Sequence, residues 1–94
     1  MSDALDVRCE RSGSGWVCHV TVSGGGTSTR HEVAVSATEL ARLDPGAATP
    51  DDLVRRSFAF LLAREPRESI LRRFDLPLIG RYFPDWEREI RPVR

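Results

Sequence analysis

Ninety-four residues carrying 40% apolar side chains, no net charge and a mean hydropathy of −0.32 fit one small globular domain and exclude disordered and fibrous classes. No run of 18 apolar residues occurs, and MSDALDVRCE lacks the basic start and apolar stretch of a signal peptide. A cytoplasmic chain without a membrane segment is therefore the expectation. All fourteen basic residues are Arg, with no Lys, Asn or Gln, a skew expected of a GC-rich genome. Residues 1–52 hold four Arg against eight acids, and residues 53–94 hold ten Arg against six. Such asymmetry fits either an anionic partner for the second half or attraction between the halves, and the second is the simpler reading.

The first third reads as strands. Residues 5–11 and 16–22 flank Ser12-Gly13-Ser14-Gly15, which predicts a two-residue hairpin with Gly13 at the positive φ of a type II′ turn. That turn sets Arg11 against Trp16, Cys9 against Cys18, Val7 against Val20 and Leu5 against Val22. One face then carries Leu5, Val7, Cys9, Trp16, Cys18, Val20 and Val22, as a half-buried sheet requires. A flexible Gly-rich connection, Ser23 to Ser28, leads to a third strand over 29–35, giving a three-stranded antiparallel meander.

The remainder reads as helical, so the fold class is α+β within one domain over 1–94, with 1–4 and 91–94 expected to be flexible. Ser36-Ala37-Thr38-Glu39 has capping-box spacing and predicts a short helix over 37–43. Thr49 as N-cap, Pro50 at the first helical position and Asp51-Asp52 predict the main helix over 50–64. Its apolar arc, from Leu53 to Leu62, is wider than a one-sided surface helix needs, so it is central or awaits a partner. Pro66, Pro77 and Pro84 divide the rest of the chain into short helices over 66–73, 76–82 and 85–90, with Asp75 as the N-cap of the second.

No residue pattern points to catalysis, a metal or a cofactor, and no small-molecule substrate is evident. Cys9 and Cys18 are opposed, which permits a disulfide, but buried reduced thiols are the expectation in a cytosolic chain. His19 falls on the polar face and His31 on the core-side face, so they share no ligand. Gly24-Gly25-Gly26 joins two strands and lacks the GK[ST] of a phosphate loop. Glu65, Glu68 and Asp75 lie in an Arg-rich stretch and read as salt-bridged surface. The candidate interaction surface is Arg55, Arg56, Arg67, Arg72, Arg73, Arg81, Tyr82 and Trp86, with Arg64 and Phe74 nearby. Arg and aromatics together suit a protein partner or self-association. The alternative is nucleic acid, against which stand a pI near 6.7 and the absence of a known binding signature.

The segment SFAFLLAREPRESILRRFDLPLIGRYFPDWEREI (57–90) resembles the C-terminal half of a family of short uncharacterised bacterial proteins. Phe58, Phe60-Leu61-Leu62, Arg64-Glu65-Pro66, Glu68-Ser69-Ile70-Leu71, Phe74-Asp75-Leu76, Ile79 and Arg81-Tyr82-Phe83-Pro84 carry the resemblance. It implies an old compact domain and brings no reaction or ligand with it. The wide apolar arc of the main helix and the sheet edges give the expectation of a non-enzymatic interaction or regulatory module that self-associates.

Overall fold

The computed structural model describes residues 3–91. Strands β1 (Ala4–Ser12), β2 (Gly15–Gly24) and β3 (Thr27–Ser36) form the antiparallel meander, each longer than its alternation alone indicates. The hairpin register is the expected one, with Arg11 on Trp16, Cys9 on Cys18, Val7 on Val20 and Leu5 on Val22. Gly13 has φ +60°, matching the first central position of a type II′ turn. The second connection is tighter than expected. Gly25 (φ +59°) and Gly26 (φ +82°) alone bridge β2 to β3, and two successive positive φ values are what a type I′ turn demands. Gly25 and Gly26 are thus a geometric requirement of the hairpin, whereas Gly24 ends β2.

Helix α1 (Ala37–Leu43) starts as predicted, with Ser36 Oγ accepting from the Glu39 amide at 3.1 Å. Helix α2 (Asp51–Leu62) is shorter than the expected 50–64. Pro50 occupies its N-cap position without a side-chain cap bond, so the N-cap role assigned to Thr49 is not realised. The expected helix over 66–73 is absent. A single 3₁₀ turn, Arg67–Ser69, leads into a fourth strand, β4 (Arg73–Asp75), which lies parallel to β3. The Glu32 amide donates to the Arg72 carbonyl (2.7 Å) and the Leu76 amide to Ala34 (3.0 Å), pulling this segment into the sheet. Asp75 consequently sits in β4 and caps no helix. Helices α3 (Leu78–Tyr82) and α4 (Trp86–Glu89) complete the chain within the expected ranges 76–82 and 85–90. No helix among the described residues is long and apolar enough to cross a membrane.

The wide apolar arc of α2 is used internally. Towards the sheet, the Phe58 ring lies 5.4 Å from His31 and 6.2 Å from Phe74. On its other side, Ser57 Oγ accepts from Trp86 Nε1 at 3.1 Å, and Phe60 meets Phe83 edge-on at 5.7 Å. Arg42 joins α1 to α4 through Glu87 (2.8 Å) and also pairs with Glu39 (2.7 Å). The hydrogen bonds that Arg42 donates to Glu87 and then to Glu39 hold its proton even more firmly than that of an ordinary arginine.

Both flanks of the meander are engaged in part by the chain itself. At β1, Arg55 donates to the Leu5 carbonyl (3.0 Å) and Asp51 accepts from the Cys9 amide (3.4 Å), two outward-pointing backbone groups of that strand. At β3, β4 pairs with residues 32–34. Asp3 and Ala4 do not behave as a loose end: Asp3 accepts from Arg67 at 3.1 Å, and β1 begins at Ala4. Of the other residues expected to be flexible, Arg91 is an exposed bend, and residues 1–2 and 92–94 lie outside the described residues.

Cys9 and Cys18 are joined as a disulfide with a Cα separation of 3.9 Å, which corrects the expectation of reduced thiols. The two-residue hairpin places the two residues directly opposite each other. Disulfides persist in oxidising compartments and are rare in the cytosol, so this bond and a cytoplasmic location are opposed expectations. Replacing both cysteines by Ala should lower the unfolding free energy of the oxidised protein by about 2–3 kcal/mol, the loop-entropy scale for a short ring. Urea unfolding with and without reductant measures this, and a variant as stable as the oxidised wild type would show that the bond adds nothing.

Candidate functional site

Burial leaves only two large apolar side chains exposed among the described residues, Leu71 (50%) and Tyr82 (68%). Both line one cleft of about 410 Å³. Its floor and walls are Leu61, Ile70, Phe74, Leu78, Ile79 and Phe83, with Glu65 and Ser69 as the polar lining residues. Each wall has a local cause. Pro66 is extended (φ −69°, ψ 155°) and turns the chain out of α2, after which Ile70 is buried and Leu71 points outward. In α3, Leu78 and Tyr82 stand one helical turn apart, so both reach the same side.

A buried histidine fixes the exposed wall. His31 is 3% exposed, and its Nδ1 lies 2.8 Å from the Leu71 carbonyl. A carbonyl only accepts, so Nδ1 carries the proton, and in the neutral ring Nε2 accepts from Thr29 Oγ1 at 2.9 Å. His31 therefore tethers Leu71 to β3 as a satisfied core residue, in keeping with its place on the core-side face. Glu65 is half-buried and makes no ion pair among the described residues, whereas the neighbouring Arg64 is held by Asp85 (3.2 Å) and lies over the Phe60 ring (3.6 Å).

The structure disperses most of the Arg set. Arg55 caps the β1 edge. Arg56 bonds Asp44 at 2.6 Å, Asp52 at 3.3 Å and the Ile90 carbonyl, bracing α2 against the end of α1 and the C-terminal turn. Arg67 clamps Asp3, the Gly24 carbonyl (2.9 Å) and Thr27 Oγ1, locking the tight turn between β2 and β3 to the N-terminal strand. Trp86 is fully buried and so does not belong to an exposed surface. Arg72, Arg73, Arg81 and Tyr82 remain at the surface, Arg73 within 3.3 Å of Glu32.

Arg72 and Arg73 share a shallow depression on the outer sheet face with Arg8 and Arg30, two cations outside the sequence-derived set. Glu10 and Glu32 line the same depression, so positive and negative groups alternate there. Among the described residues, no group of three or more His, Cys, Asp or Glu side chains is placed to hold a metal ion. Sequence reasoning singled out Tyr82 and Arg81, with Phe74 nearby, but missed Leu71, Leu78 and Phe83. The available signal was Ile70-Leu71, adjacent apolar residues of which extended backbone can bury only one. Compared with protein-family models, curated proteins and solved structures, the chain matches none.

Proposed function

We propose that this chain is a non-enzymatic interaction module that docks apolar side chains of a polypeptide partner in the Leu71–Tyr82 groove. The observation that carries the reading is the coincidence of both exposed large apolar side chains on one cleft, when scattered single exposures are the ordinary case. A volume of about 410 Å³ accommodates two or three large side chains, and aromatic walls with one carboxylate suit an apolar anchor beside a basic residue. A random peptide library displayed on phage tests this. Selection should enrich aromatic or aliphatic anchors next to Arg or Lys, and binding should disappear in the Leu71→Asp variant. Recovery of no binder that depends on Leu71 would refute the reading.

Nucleic-acid binding stands second. It rests on Arg8, Arg30, Arg72 and Arg73 around the outer-face depression, and Glu10 and Glu32 there oppose a polyanion. A salt-dependent mobility shift abolished by Arg72→Glu/Arg73→Glu would promote it over the groove.

A further inference from the structure

We infer that the occupant of the groove is a second copy of this chain, joined in a two-fold arrangement in which each Tyr82 enters the other copy's cleft. The inference rests on the docking reading and names its partner. The feature of the sequence that most suggested self-association is used up internally: the apolar arc of α2 is buried within the fold, while α2 side chains bond two groups of the β1 edge and β4 covers residues 32–34 of β3. What stays open is self-complementary. The patch carries both a cleft and, on its rim, a protruding aromatic that is 68% exposed.

The charges match in the same sense. Glu65 lines the cleft, and Arg81 precedes Tyr82 on the short helix that forms the rim. Neither makes an ion pair among the described residues, although their neighbours Arg64, Arg67 and Asp85 all do. In a two-fold contact, residue i meets j and j meets i, so a Tyr82 seated in the opposite cleft carries its Arg81 towards the opposite Glu65, twice per dimer. A heterologous contact would leave one cleft and one Tyr82 unfilled. Groove-sized burial is at the small end of specific interfaces, so the dimer is weak and reversible, with a micromolar dissociation constant.

Sedimentation equilibrium of the full chain over micromolar to millimolar concentrations tests the inference. Wild type should move reversibly from monomer to dimer. Tyr82→Asp should weaken association at least about tenfold, as loss of a buried aromatic anchor does. Arg81→Glu and Glu65→Arg should each weaken it, and the two changes combined should restore it to within about threefold of wild type, because the pair is remade with its sign reversed. Circular dichroism of each variant confirms that the fold is retained. A strict monomer, or a dimer indifferent to Tyr82 and to the charge reversal, overturns the inference. A monomer that still takes Leu71-dependent peptides overturns the second-copy assignment alone, and the docking reading stands.

Discussion

Trp86→Ala should destabilise the protein by about 4 kcal/mol, the scale for truncating a buried Trp, out of a total that for such domains is about 5–15 kcal/mol. Trp86 is fully buried, beneath one turn of helix that lies between Pro84 and the end of the described chain. Its indole donates to Ser57 Oγ at 3.1 Å, and Ser57 in turn donates to the Leu53 carbonyl at 2.9 Å. The ring also approaches α3 at Gly80, where an added Cβ would stand 3.3 Å from the indole. A single side chain thus joins α4, α2 and α3. The melting temperature should fall by about 20 °C, since each kcal/mol shifts a domain of this size by roughly 4–8 °C. Trp86→Phe keeps most of the apolar contact, loses the N–H bond and should cost about 1–2 kcal/mol. Thermal unfolding followed by circular dichroism measures both. A loss of only a few degrees in Trp86→Ala would show that α4 is not part of the core.

Arg56→Met should cost on the order of 3 kcal/mol, placed at the low end for a broken buried ion pair because the Arg56 side chain is a quarter exposed. Asp44 is the reason for the size of the effect. Its side chain is only 12% exposed, so removing Arg56 leaves a mostly desolvated carboxylate and an unbonded Ile90 carbonyl. Asp44→Asn in the Arg56→Met background should then cost little, and the double-mutant cycle should give a coupling of about 1–2 kcal/mol. The coupling should persist in high salt, which screens exposed pairs far more than buried ones. Arg72→Met, by contrast, should stay within about 0.5 kcal/mol of wild type, as surface substitutions do. Denaturant unfolding in low and high salt checks all of these, and an Arg56→Met protein as stable as Arg72→Met would contradict the bracing role.

The strand half was legible because a period of two and a two-residue turn leave one register in which every apolar side chain shares a face. The helical half was legible only in outline. Arg73–Asp75 is too short to show a period, and its pairing with β3 is a tertiary event that no local pattern announces. Trp86 sits among Asp85, Glu87, Arg88 and Glu89, and that charged company resembles surface; one helical turn still buries one residue completely. The arginines were the least legible. Arg55 and Arg56 are adjacent and chemically identical, yet one caps a strand edge and the other braces two helix ends. Sequence reveals the cation but not the acid or carbonyl that folding brings to it. The groove was half visible through Arg81 and Tyr82, and its other wall depends on how His31 and β3 hold Leu71.

Amide chemical-shift mapping on the ¹⁵N-labelled protein, titrated with a groove-selected peptide, is the most direct test of docking between Leu71 and Tyr82. Docking there predicts saturable shifts concentrated at Leu61, Glu65, Leu71, Leu78 and Tyr82, absent from the Leu71→Asp variant. Shifts centred instead on Arg8, Arg30, Arg72 and Arg73, with the groove amides unmoved, would contradict it.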